Sequence, residues 1–313
     1  LSVFIVFHTT QFFNLPGGGR IGPMKLKLGL PKGSLQDATF ALFERAGFTF
    51  KMSSRSYQPV VNDVELEPIL LRPQEIPQYV ADGVIDAGLT GHDWITDCGV
   101  DVHEVCELRY SKLTNNPIRV VLAVADDAKI NSVKELEGKR IATEYVRLTQ
   151  RFLDDNGVKA SVEFSWGACE VKVPEGLVDA IVVNTETGSS LRAHNLRIID
   201  TLLTSTTRLI AGHEAWKDKW KHEKLGSLQI LLEGAMNAAR MVGLKMNIPV
   251  ERQAEVLAIL PALKNPTISR LADDKWVAAE VILDEHQVRD LIPALKRGGA
   301  TGIVEYPLNK VIY

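Results

Sequence analysis

The sequence predicts an α/β protein: two lobes on parallel sheets around a hinged cleft, followed by a ferredoxin-like β-α-β-β-α-β unit. Three observations carry that reading. From Met24 to about residue 223, short apolar β-branched runs alternate with amphipathic helical stretches, the pattern of parallel sheets with ligands at strand C-termini. Residues 80–87 and 173–180 share the pattern V-x-x-G-x-x-D-A. The copies lie about 93 residues apart, too far for a solenoid and suited to two related lobes, with chance similarity of two buried strands as the competing account. Beyond Arg240 the element order changes to the split βαβ unit.

Taken in order, residues 25–30 read as a strand, Pro31-Lys32-Gly33-Ser34 as a turn, and residues 35–46 as an amphipathic helix closed by Gly47. Lys32 thus stands at a strand end facing a helix start, a place for a phosphate or for a merely solvated lysine. Arg55 and Arg72, in the irregular stretch that follows, are equally open. Residues 76–81 are helical and residues 84–89 a strand running into Thr90-Gly91-His92-Asp93-Trp94.

The second lobe is expected to begin near Asn116-Pro117, with strands at 118–124 and 140–143. Glu144-Tyr145 opens a helix to about Asp155, and Glu144 there suits a ligand or simply the helix dipole. Residues 170–191 organise the whole reading. An apolar run at 177–183 is long enough for a buried strand, and Thr185, Glu186, Thr187, Gly188, Ser189 and Ser190 follow it. Free N–H groups and hydroxyls converge there on an anion, with Asp179 and Glu186 beside it as a sugar diol or bridging Mg²⁺ would require. Plain helix capping by Ser189 or Ser190 accounts equally well for the loop alone. The chain is expected to recross at residues 201–210, and residues 225–240 to form a linker helix. Lobe I is then 24–115 with 201–223, lobe II 116–200, and 224–313 the linker helix and C-terminal regulatory domain.

Composition narrows the function classes. The 313 residues are 45% hydrophobic and 24% charged with a formal net charge of -3, which suits a soluble globular protein and argues against a general nucleic-acid binder. The 3 cysteines, Cys98, Cys106 and Cys169, form no C-x-x-C pair, and the 7 histidines show no H-E-x-x-H pairing. Neither a disulfide framework nor a protein-built transition-metal site is expected, and a reducing cytoplasm fits best. Residues 1–13 are apolar but lack a basic n-region and are too short for a membrane span. Met24 is expected to be the native start and residues 1–23 upstream read-through, so that no peptide spanning 1–23 is found in the native protein.

Several stretches together resemble the long form of the ATP phosphoribosyltransferase family, which opens histidine biosynthesis. They are G-L-P-K-G-S-L from Gly29, R-P-Q-E-I-P-Q-Y-V-A-D-G-V-I-D-A-G-L-T-G-H-D-W from Arg72, A-T-E-Y-V-R-L-T from Ala142 and the loop segment 170–191. I-L-P-A-L-K-N-P-T-I-S-R-L from Ile259 and Y-P-L-N-K-V-I from Tyr306 extend the likeness to the C-terminus. The resemblance implies a periplasmic-binding-protein-like two-lobed catalytic region and an ACT-like C-terminal domain. It implies that N1 of ATP attacks the anomeric carbon of phosphoribosyl pyrophosphate and expels pyrophosphate in the presence of Mg²⁺, held mainly by substrate oxygens.

On that resemblance Asp179, Ala180, Glu186, Thr187, Gly188, Ser189 and Ser190 bind the phosphoribosyl group. Lys32, Arg55, Arg72, Asp93, Glu144 and Glu170 serve ATP or pyrophosphate, and Asp179, Lys32 and Arg72 are the catalytic candidates. Ser34 stands where the family carries arginine, Val146 where it carries proline, Val183 where it carries an acid and Ser190 where it carries threonine. Histidine feedback through the C-terminal domain and a homo-oligomer, hexamer or dimer, are further implications; a chain ended near Lys224 should escape histidine. The rival readings are a solute-binding protein without chemistry and a phosphoribosyltransferase for another base.

Overall fold

The computed structural model describes residues 24–52, 57–110, 116–261 and 266–313. Residues 1–23, Arg55 and part of the 259–271 family stretch lie outside them.

Three sheets organise the chain. The first is five-stranded in the order Leu66–Leu71, Leu26–Pro31, Ala87–Gly91, Thr207–Ala211, His103–Leu108. The second is also five-stranded, in the order Leu196–Ser205, Ile118–Ala125, Ala180–Thr185, Arg140–Thr143, Ser161–Phe164. Neither sheet is purely parallel, as the sequence had suggested. Thr207–Ala211 runs antiparallel to both neighbours in the first, and Ile118–Ala125 to both neighbours in the second. The cause is the crossover itself. Each reversed strand enters its lobe from the cleft, where the parallel strands end, and so must run the other way. The return also comes later than residue 201, because Leu196–Ser205 stays in the second sheet throughout and only Thr206 separates it from the first.

The two V-x-x-G-x-x-D-A copies have the same local structure. Gly83 and Gly176 both adopt left-handed backbone, φ 69° and 68°, and turn the chain so that the strand begins only at the final alanine. Both strands therefore start three residues later than the apolar runs suggest, and Val84 and Leu177 are exposed. Asp86 and Asp179 then play one part. Each accepts an N–H at the start of the neighbouring parallel strand, Lys27 at 2.8 Å and Arg140 at 2.9 Å, and each returns its own N–H to the same residue's carbonyl.

The Lys219–Ala238 helix is more than a linker. Leu225, Leu228, Leu232 and Ala235 are buried in the core of the first lobe with Leu28, Leu42 and Phe43. At roughly 1.5–3 kcal/mol per buried leucine, this helix is part of what makes that lobe fold. The C-terminal sheet is antiparallel, Thr267–Arg270, Trp276–Asp284, Met241–Pro249, Thr301–Pro307, with the Gln253–Ile259 and Glu285–Arg297 helices packed on it. The last residues return to the first lobe: Val311 N–H bonds Gly234 C=O at 2.8 Å. A side chain at Gly234 would meet Ile312 at 2.9 Å, so glycine lets the last residues approach the helix closely. Among the described residues no helix is long and apolar enough to cross a membrane, and Cys98, Cys106 and Cys169 are free thiols.

Candidate active site

The Ala180–Thr185 strand, central in the second sheet, delivers the hydroxyl-glycine loop to the cleft between the lobes. The loop is internally braced. Gly188 N–H bonds Thr185 Oγ1 at 2.8 Å, Thr187 Oγ1 meets Ser189 Oγ at 3.0 Å, and the Arg192 guanidinium holds Thr187 C=O at 3.1 Å. Gly188 sits at φ 74°, a conformation that costs a side-chain-bearing residue about 1–2 kcal/mol. Thr185, Glu186, Thr187, Ser189 and Ser190 line a cleft of about 310 Å³ and face Ser34, Leu35, Pro73, Asp93 and Trp94 of the first lobe. Small hydroxyl side chains and N–H groups at one wall suit an anion with several oxygens.

Below the loop lies a smaller hollow of about 130 Å³ lined by Glu144, Tyr145, residues 167–170 and residues 182–184. Glu170 accepts a hydrogen bond from Ser190 Oγ at 2.9 Å, and Glu144 accepts one from Gln74 of the other lobe at 3.3 Å. Val183, at the position where an acid was expected, belongs to this same hollow. The two glutamates thus place carboxylates beside the loop's base, in addition to Glu186 within the loop. Cys169 beside them is buried, and burial pushes its thiol up, away from reactivity.

Asp93 is 1% exposed at the start of the His92–Cys98 helix. Its carboxylate accepts Ser205 Oγ at 2.6 Å and the Tyr145 hydroxyl at 2.7 Å, while Asn184 donates to that hydroxyl at 2.8 Å. The Tyr145 ring stacks on Trp94 with centroids 4.2 Å apart. Burial first, and the Asp93 charge second, hold the Tyr145 phenol well above its ordinary range, so it remains a donor. Behind this, Asp97 accepts the Leu148 N–H at 2.8 Å, and Arg147 and Arg151 bind the carbonyls of Cys98 and Thr96. The helices of the two lobes thus cap each other's ends.

Lys32 and Arg72 follow the ends of adjacent strands on the cleft side of the first sheet. The Lys32 ammonium lies 3.4 Å from the centroid of the Tyr57 ring, and its hydrogen bond and charge draw the Tyr57 phenol below its usual range. Arg72 is exposed. Arg55 lies outside the described residues, so its role as a phosphate ligand has no structural counterpart here.

Two expected site residues are elsewhere. Asp179 precedes the strand whose far end carries the loop, about 20 Å away along six residue steps. Its carboxylate is engaged by Arg140 N–H and by Lys139 Nζ at 3.6 Å, as its twin Asp86 is engaged by Lys27 N–H and by Lys221 Nζ at 2.7 Å. Asp179 therefore braces the sheet at the end of the strand opposite the loop. Ala180, fully buried at the same end, is likewise a core residue. Conversely, Trp94, Arg109, Asn184, Ser205 and Thr207 line the cleft without having been singled out. Of these, Trp94 and Asn184 stood in stretches already marked, H-D-W and the loop segment 170–191. Ser205 and Arg109 carry no local signal, because only the crossovers bring them to the cleft. Among the described residues no group of three or more His, Cys, Asp or Glu side chains could hold a metal ion.

With this geometry in place, comparison with known proteins is specific. The ATP phosphoribosyltransferase (HisG) family model matches residues 72–234, and the model of its C-terminal domain matches residues 238–310. The chain is 64% identical over 289 residues to an ATP phosphoribosyltransferase of Pelotomaculum thermopropionicum, covering 92% of this chain and all of that protein. It is 60% identical over the same length, with the same coverage, to that of Desulforudis audaxviator. Among solved structures, a chain of the ATP phosphoribosyl transferase (HisG:HisZ) complex from Thermotoga maritima superposes with TM-score 0.57 at 28% identity. That likeness covers 66% of this chain and 98% of the other.

Proposed function

The chain belongs to the ATP phosphoribosyltransferase family, and we propose that the cleft between its lobes is where that family's reaction takes place. The enzyme transfers the phosphoribosyl group of phosphoribosyl pyrophosphate to ATP in histidine biosynthesis. Attack by N1 of the adenine on the anomeric carbon breaks the bond to pyrophosphate, and the electron pair leaves with it. Pyrophosphate is a good leaving group and the ribosyl carbon tolerates positive charge, so no protein nucleophile is required. The protein's task is to align two anionic substrates and to stabilise charge as it departs.

Thr187, Gly188, Ser189 and Ser190 take the 5-phosphate through N–H groups and hydroxyls, supported by the braced loop with Glu186 at its start. Glu170 and Glu144, in place of Asp179, take the ribose hydroxyls from the hollow around Val183. Lys32 and Arg72 attract the phosphates of ATP or the departing pyrophosphate; Lys32 must leave the Tyr57 ring to do so. Asp93, a buried carboxylate on the opposite wall, receives N–H or O–H donors of ATP. Mg²⁺, a hard cation that keeps water and phosphate oxygens, would be held mainly by the substrates, with Glu144 and Glu170 as the protein carboxylates that could join it, and it would neutralise charge on pyrophosphate. Feedback by histidine through the C-terminal sheet, a homo-oligomeric state and a cytoplasmic location complete the reading.

The observation that carries the assignment is the loop at 185–190 facing Ser34, Leu35 and Asp93 across one cleft. The test is Glu170→Gln, followed by pyrophosphate release from phosphoribosyl pyrophosphate with ATP and Mg²⁺. Loss of a charged hydrogen bond to the ribose should lower kcat/KM for phosphoribosyl pyrophosphate by about tenfold or more and leave KM for ATP alone. Equal constants for the two enzymes would refute the ribose assignment.

A further inference from the structure

One phenol joins the two halves of the cleft. Tyr145 enters from the second lobe at the head of the Val146–Asp155 helix, where its N–H is fixed by Thr143 Oγ1 at 2.8 Å. Its hydroxyl donates to Asp93 of the first lobe and accepts from Asn184, the residue just before the Thr185–Ser190 segment. Its ring lies on Trp94, and it is only 2% exposed. Asp93 is thus held by two hydroxyls, Tyr145 and Ser205, one on each carboxylate oxygen. A carboxylate has about four lone-pair sites, so acceptor capacity remains for a ligand in the cleft that Asp93 lines.

We infer that Tyr145 is a positioning residue that registers the ATP half-site against the phosphoribosyl half-site, holding Asp93 and Asn184 in one hydrogen-bonded line. The inference rests on the reading of Asp93 as an ATP contact. The Tyr145 hydroxyl is engaged by Asp93 and Asn184, so it acts through them. It sets where the Asp93 oxygens stand relative to the loop that grips the sugar phosphate, and a misplaced acceptor weakens the grip on ATP.

The experiment compares wild type, Tyr145→Phe, Asp93→Asn and the double variant by steady-state pyrophosphate release and thermal melting. Phenylalanine keeps the stack on Trp94 and removes only the hydroxyl. Tyr145→Phe should raise KM for ATP about tenfold while KM for phosphoribosyl pyrophosphate stays within about twofold. In the Asp93→Asn background the same change should add less than about twofold, because its effect runs through the carboxylate. A full tenfold effect persisting in that background, or equal rises in both KM values with a lowered melting temperature, overturns the relay and leaves Tyr145 a structural tie. If Tyr145→Phe is silent while Asp93→Asn raises KM for ATP, the relay alone fails. If Asp93→Asn leaves KM for ATP unchanged, the reading of Asp93 fails, and the relay with it.

Discussion

Replacing Asp179 by asparagine separates a strand brace from a substrate ligand. The carboxylate accepts the Arg140 N–H at 2.9 Å and sits 3.6 Å from Lys139 Nζ and 3.9 Å from Arg140 Nε. A hydrogen bond to a charged group is worth about 1.5–3 kcal/mol and a neutral one about 1, so asparagine, which keeps an oxygen, forfeits about 1 kcal/mol there. The ion pairs are partly solvated and add at most about 1 kcal/mol. The sum, about 1–2 kcal/mol, should lower the melting temperature by a few degrees. Turnover is the decisive readout: kcat and both KM values, followed by pyrophosphate release, should stay within about twofold, since the loop is about 20 Å away along the strand. Asp86→Asn, its counterpart in the first lobe, should behave alike. A hundredfold loss of kcat/KM for phosphoribosyl pyrophosphate at an unchanged melting temperature would falsify the brace and return Asp179 to the active site.

Gly188→Ala introduces a Cβ at φ 74° and 2.9 Å from Arg192 Nη1. The strain, about 1–2 kcal/mol, falls on the loop, so KM for phosphoribosyl pyrophosphate should rise about tenfold and KM for ATP little, which initial-rate kinetics will resolve. A chain ended at Lys224 loses Leu225, Leu228 and Leu232 from the first lobe's core, about 5–9 kcal/mol, and should not fold; a chain ended at Arg240 should fold, turn over and resist histidine. Circular dichroism and inhibition curves decide both points, and histidine inhibiting the shorter and full chains equally would remove the C-terminal sheet from regulation. His103 stacks on Trp216 at 4.0 Å, with His222 on Trp216 and His213 paired to Asp101 nearby. Burial, then the charges of His213 and His222, hold its imidazole below the ordinary 6.5. The unfolded chain therefore takes up the proton first on acidification, and the stability His103 contributes above that value is lost as pH falls through its lower folded-state pKa. Melting temperatures of wild type and His103→Asn across that range should diverge in slope; parallel curves would refute the cluster's part in acid sensitivity.

Periodicity and spacing were enough to read the α/β class, the split βαβ order at the C-terminus, and the hydroxyl-glycine loop with its position after a buried strand. These depend on local chemistry: β-branched runs, glycines at left-handed turns, and hydroxyls that can bond their own backbone. The repeated V-x-x-G-x-x-D-A was legible as a motif, yet its meaning was not. An aspartate beside an apolar run looks like a site residue until the neighbouring strand is in place, and then Lys27 and Arg140 reveal both copies as sheet braces. Which carboxylates line the hollow behind the loop, which hydroxyls reach Asp93, and that the supposed linker helix belongs to the first lobe's core were all decided by tertiary contacts. The physical reason is sequence separation. Asp93, Tyr145, Asn184 and Ser205 come from two lobes and the return crossover, and only the closing of two sheets on one cleft brings them within hydrogen-bond reach.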